Sequence, residues 1–135
     1  MAETQHAAER PLSPHLSIYS PLINMVMSIL HRITGGALYF GTLLLAAWLI
    51  GVAMGEKQYA QVNAILGHPI GKLVLVGYTW ALFHHMLGGI RHLIWDTGRG
   101  LQIWQVNVLG WLTIIGSVTL TVVAWGIALM LRGEL

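Results

Sequence analysis

VNVLGWLTIIGSVTLTVVAWGIALML, residues 106–131, contains no Asp, Glu, Lys, Arg or His. A helix needs about 20 mainly apolar residues to cross the hydrocarbon core of a bilayer. The stretch is long enough, and its apolar residues surround the helix instead of forming one stripe, so lipid is the medium it suits. Two further stretches follow the same pattern. One runs from about Ile23 to Met54, with a charge-free part from Ile33 to Gly55. The other runs from about Ile70 to Asp96, and Leu73 to Ile90 carries no Asp, Glu, Lys or Arg. The expected fold class is therefore an all-α integral membrane protein. It is a single membrane-anchor domain over 1–135, with an arm at 1–22 and transmembrane helices at about 23–54, 70–96 and 106–131.

Composition agrees. The chain is 56% hydrophobic and 9% charged, where soluble domains carry about 25% charged residues. The net charge of +2 comes from scattered Lys and Arg, which excludes a nucleic-acid partner. The absence of cysteine excludes disulfides, thiolate zinc sites and cysteine-ligated iron–sulfur clusters within this chain. The segment before Ile23 holds Pro11, Pro14 and Pro21 and no apolar core, so it does not read as a signal peptide. It is not Arg-rich either, and a chain opening at Met1 in this way is expected in a bacterial inner membrane.

Short connections are expected between the spans. Glu56 to Pro69 joins the first two, and Thr97 to Gln105, with Gly98 and Gly100 as breakers, joins the last two. Three spans place the start of the first helix and the end of the second on one membrane face. That face holds Arg10, Arg32, Arg91 and Arg99, against Lys57, Lys72 and Arg132 on the other. The excess of cations points to a cytoplasmic N-terminus. Two rows of small or hydroxyl residues, Ala47–Gly51–Gly55 and Thr113–Ser117–Thr121, read as helix-packing stripes.

Ionisable residues inside a span are costly and are candidates for function. They form two clusters. Ser28, His31 and Arg32 lie at the start of the first helix, with Ser28 and Arg32 on one face. The plain alternative there is an Arg snorkelling to the interface beside a packing serine. The second helix carries His84, His85, Gly88, Gly89, Arg91, His92 and Asp96. His85, Gly89, His92 and Asp96 share one stripe, and His84, Gly88, Arg91 and Trp95 share the next. His85 lies about 16 Å along the axis from Asp96, deep in hydrocarbon. His92 and Asp96 are one turn apart and are placed to pair.

A neutral imidazole is a good axial ligand for haem iron, and a glycine one turn on leaves space for the macrocycle. His31, Arg32, Arg91 and His92 sit on the side that propionates of a His85-bound haem reach. The competing reading is a histidine bonded to a neighbouring helix or lining a proton path. The third helix has no histidine, so the second ligand of a bis-histidine haem has to come from a partner or a second copy, with methionine as a further option. Spacing does not separate His84 from His85 as the ligand.

Three motifs carry a resemblance. They are Arg10-Pro11-Leu12-Ser13-Pro14-His15-Leu16-Ser17-Ile18-Tyr19, Ser28-Ile29-Leu30-His31-Arg32-Ile33-Thr34-Gly35, and the run from His85 to Asp96 with Gly89-Ile90-Arg91-His92 at its centre. In order and spacing they resemble the cytochrome b556 subunits of succinate dehydrogenase over the whole three-helix plan. Position 88 is Gly where many of those proteins have Asn. The resemblance implies a subunit of a succinate:quinone oxidoreductase (complex II) with no succinate-oxidising chemistry of its own. It implies His85 as an axial ligand of one haem b, shared with a second hydrophobic anchor subunit that gives the other histidine. It implies His31, Arg32 and His92 at the propionates, Ser28 and Arg32 at a ubiquinone pocket, and Asp96 near that pocket. An iron–sulfur subunit, a flavoprotein subunit and membrane lipid are the other partners. Two alternatives belong to different classes: a haem-free structural anchor, and a small ion- or proton-conducting membrane protein.

Overall fold

A computed structural model describes residues 19–133. The Arg10–Ile18 part of the arm motif lies outside the described residues. Four helices follow one another: α1 (Ile23–Met54), α2 (Glu56–Gly67), α3 (Pro69–Asp96) and α4 (Ile103–Leu131). Three of them, α1, α3 and α4, are long and apolar enough to cross a membrane. Helical backbone satisfies its own N–H and C=O groups, which hydrocarbon cannot do. The α1, α3 and α4 helices alternate in direction, and α3 packs against both of the others.

The connection between the first two spans is more than a linker. Most of Glu56–Gly67 is the short helix α2. Gly55, with φ 107° and ψ −178°, turns the chain between α1 and α2. That backbone conformation is essentially confined to glycine. The helix α2 then lies back along the end of α1, where Val62 sits against Gly51. Pro69 occupies the first turn of α3, and His68 caps it by accepting the Ile70 N–H on Nδ1 at 3.3 Å. Gly71 has no room for a Cβ against the backbone of Ile65 and Leu66, so the α2–α3 corner is tight.

The core is polar and small-sided. Met27 and Ala81 are the buried hydrophobic residues, whereas Thr34, His84, Arg91, Thr113, Ser117 and Thr121 are buried polar ones. Large hydrophobic side chains are exposed along all three spans. This inversion is expected where lipid is the solvent and helices associate through close packing and polar contacts. Hydroxyls on the inside bond within their own helices: Thr113 to the Leu109 carbonyl at 2.8 Å, Thr121 to that of Ser117 at 2.7 Å. The Thr113–Ser117–Thr121 stripe thus faces the bundle. The Ala47–Gly51–Gly55 stripe does not act as one: Gly51 is buried against α2, Ala47 is exposed, and Gly55 serves as the turn.

Candidate functional site

Two imidazoles meet at the crossing of α1 and α3. The His85 ring from α3 lies on Gly35 of α1, and the His31 ring from α1 lies on Gly88 of α3, where a Cβ has no room. The rings stack with centroids 4.0 Å apart and planes 6° from parallel. Each glycine accepts the other helix's histidine, and α1 and α3 approach closely as a result.

His85 is held by its Nδ1, which lies 3.1 Å from the His31 carbonyl oxygen and 3.4 Å from Thr34 Oγ1. The Thr34 hydroxyl already donates to the Leu30 carbonyl at 2.8 Å. A carbonyl oxygen only accepts, so Nδ1 carries the ring proton and Nε2 keeps its lone pair. Among the described residues that nitrogen has no hydrogen bond and is not one of the sealed, unpaired atoms, so it is open at the surface they form. Backbone fixation of one ring nitrogen is the usual way to orient a metal-binding histidine through the other. One turn on, no atom lies within 4 Å of where a Gly89 Cβ would stand, so this flank is open. His85 thus offers a nitrogen lone pair beside an open flank, chemistry that suits a metal-centred planar cofactor.

His84 has the opposite surroundings. It is fully buried between α3 and α4, with Nδ1 3.3 Å from Ser117 Oγ and Nε2 enclosed without a partner. No macrocycle reaches it without parting those helices. The two histidines that the sequence left equivalent are thus distinguished by which helix covers them.

Toward the end of the bundle that holds Asp96, a cleft of about 470 Å³ opens between α1, α3 and the start of α4. Its walls include Ser28, His31, Arg32, Arg91, His92 and Trp95. Ser28, Arg32 and His92 are exposed side chains, and His31 is half-buried. The His92 ring lies 5.2 Å from that of His31. The lining carries two arginines and two histidines and no carboxylate, so its field is positive. It suits a carboxylate, or an oxygen gaining negative charge. Asp96 ends α3 as an exposed residue outside this lining, and no Asp96–His92 pair forms among the described residues.

Three further side chains shape the cleft, of which Asn24 was not singled out from the sequence. Arg91 is 4% exposed, its Nε and Nη1 have no partner, and its guanidinium lies 4.9 Å from the centroid of the Trp95 ring. Asn24 has a buried Oδ1 without a partner. Trp95 donates its indole N–H to the Gly100 carbonyl at 3.0 Å and ties the α3–α4 turn to the cleft wall. The signal for Asn24 was present in the sequence: Asn24, Ser28 and Arg32 recur once per turn.

Comparison with known proteins assigns this arrangement to a family. Residues 6–124 match the model of the succinate dehydrogenase/fumarate reductase transmembrane subunit. A succinate dehydrogenase cytochrome b556 subunit of Rickettsia conorii is 45% identical over 117 residues, covering 87% of this chain and 91% of that protein. That of Paracoccus denitrificans is 40% identical over 113 residues, covering 84% and 87%. The mitochondrial cytochrome b560 subunit of Sus scrofa is 39% identical over 113 residues, covering 82% and 67%. With a match across most of its length and three spans around a paired-histidine crossing, this chain belongs to the family of succinate dehydrogenase/fumarate reductase transmembrane subunits.

Proposed function

We propose that this chain is the haem- and quinone-binding cytochrome b anchor of a complex that passes electrons from succinate to ubiquinone in a bacterial inner membrane, with its N-terminus cytoplasmic. The observation that carries the reading is the hold on His85: Nδ1 engaged by the His31 carbonyl, Nε2 open to the outside. His85 is the axial ligand of one haem b, which when bound supplies a one-electron carrier. The second axial histidine belongs to a partner anchor subunit. His31 stacks face to face on His85, and parallel stacked rings cannot bind one iron from opposite sides. His84 is enclosed against Ser117. His31, Arg32 and His92 hold the propionates in the positive cleft.

Ser28 and Arg32 present hydroxyl and guanidinium donors to a quinone carbonyl oxygen. They stabilise the negative charge that grows there as electrons arrive from an iron–sulfur subunit. Asp96, exposed at the end of α3, assists proton delivery. Succinate is oxidised on a flavoprotein subunit and never meets this chain.

The test uses the purified complex and its reduced-minus-oxidised spectrum. His85→Ala is expected to lose most of its haem, and His84→Ala to retain it. Wild-type haem content in His85→Ala would remove the ligand assignment. A complex without any b-type absorption would instead identify a haem-free anchor.

A further inference from the structure

Arg91 is a buried cation without a counter-charge. It is 4% exposed, its Nε and Nη1 are sealed without a hydrogen bond, and it forms no ion pair among the described residues. The Asp96 carboxylate is exposed and outside the cleft lining. An ion taken out of water without a partner is strongly destabilising, so packing alone does not account for this one. Its position is nevertheless fixed. The guanidinium lies 4.9 Å from the centroid of the Trp95 ring, and Trp95 is itself tied to the Gly100 carbonyl. Ile23 and Met27 of α1 meet Gly110 of α4 beside it: a Cβ on Gly110 would stand 3.4 Å from Ile23, 3.7 Å from Met27 and 3.8 Å from Arg91 Nη1. Nη2 is the one guanidinium nitrogen that is not sealed, and Arg91 forms part of the wall of the cleft of about 470 Å³. At 100° per residue Arg91 stands about 120° round α3 from His85, and Gly89, on the open flank of His85, about 40° in the other sense. The charge therefore lies on the α1–α4 side, away from the flank assigned to haem.

We propose that Arg91 is the fixed cation of the quinone cleft, the residue that stabilises the substrate oxygen once the first electron has arrived. The assignment rests on the quinone reading of Ser28 and Arg32. One electron from the iron–sulfur subunit turns the bound quinone into a radical anion, and a second electron with two protons from water completes the quinol. The negative charge to be stabilised exists only between those two steps. Ser28 and Arg32 are exposed, so they can orient the neutral quinone, but water and salt screen the Arg32 charge. Arg91 sits where water is excluded, and both its charge and its Nη2 donor are in place before the electron comes. Neutral quinone gains little from a cation, so Arg91 contributes to turnover more than to binding.

The test is redox titration of the purified complex with ubiquinone, following the radical anion by electron paramagnetic resonance. At an effective dielectric of about 20, a unit charge within a shell or two shifts an equilibrium by more than about tenfold. Arg91→Met is close in length and uncharged. It is expected to make the first one-electron reduction less favourable by at least that factor, a midpoint lower by about 59 mV or more. The kcat for ubiquinone should fall with it, while KM stays within about twofold. Arg91→Lys keeps a charge without the planar stack and should hold the midpoint equilibrium within about threefold of wild type. An ion pair between Arg91 and an acid of a partner subunit predicts the reverse: lower thermal stability in Arg91→Met, by stranding that acid, with the midpoint unmoved. An unmoved midpoint in an assembled Arg91→Met complex, with Ser28→Ala impaired, would overturn this role of Arg91 alone. Normal ubiquinone reduction in an assembled Ser28→Ala complex would remove the cleft as the quinone site and this role with it. Where Arg91→Met fails to assemble, spin-echo spectra of the radical in complexes labelled with 15N-arginine decide. An arginine nitrogen coupled to the radical in the wild type should be absent in Arg91→Lys, and identical couplings in the two would overturn the proposal.

Discussion

Gly35 and Gly88 each receive the imidazole of the facing helix, so the α1–α3 crossing rests on two absent side chains. At position 88 a methyl group collides with the His31 ring, which has to leave its stack on His85. The His85 hydrogen bond is to the His31 backbone carbonyl, and that anchor survives a ring displacement. Gly88→Ala is therefore expected to destabilise the complex by about 1–3 kcal/mol, the usual cost of overpacking, with haem content near wild type. Thermal unfolding of the detergent-solubilised complex together with its haem spectrum measures both. A melting curve identical to wild type would mean that the His31 ring swings aside at no cost. The sequence placed His84 and His85 on neighbouring faces of one helix, about 100° apart. It did not say which face α4 covers, because the Thr113–Ser117–Thr121 stripe marks the inward side of α4 and not the side of α3 that it meets. Ser117 resolves this: the hydroxyl beside His84 marks the covered face.

At the scale of an element, α2 is where sequence periodicity is least informative. Glu56–Gly67 mixes Glu, Lys, Gln and Asn with small apolar residues, too polar for a span and bounded by glycine and proline, so it reads as a loop. Its helix is defined by its surroundings: α1 offers Gly51 to Val62, and α3 offers Gly71 to Ile65 and Leu66. The long spans were legible because charge-free length alone specifies them. Helix ends were less so: α4 starts at Ile103, where Gln102 donates its backbone N–H to the Gln105 side chain at 3.3 Å. The fold-back of α2 depends on Gly55, whose φ of 107° suits no L side chain well. Gly55→Ala should cost about 1–3 kcal/mol, seen as earlier unfolding in the same thermal assay. Protease cutting within Glu56–Gly67 should also become faster in intact proteoliposomes. Unaltered cutting and stability would show that α2 holds its place without that turn.

For the molecule as a whole, the two ends have different chemistry. One is a shallow polar cleft under a histidine pair, the other a deep aromatic-walled shaft. The division follows from alternating helix direction: one turn places the end of α3 beside the start of α1, the next places its start beside the end of α4. In the proposed function the cleft end is where electrons meet a lipid-soluble acceptor, a reading supported by its exposed donors and a lining without a carboxylate. In that proposal succinate oxidation belongs to a different subunit, so damage to Ser28 or Arg32 should separate two activities that are normally linked. Losing a hydrogen bond to a charged or charging group costs about 1.5–3 kcal/mol, which is about tenfold or more in rate. Ser28→Ala and Arg32→Leu are each expected to lower succinate-driven ubiquinone reduction by at least that factor, while reduction of an artificial dye by succinate continues at the wild-type rate. Parallel loss of both activities would signify failed assembly, which co-purification of the other subunits detects directly. Full retention of ubiquinone reduction in an assembled complex would place the quinone elsewhere, and the positive cleft would then be left to the propionates alone.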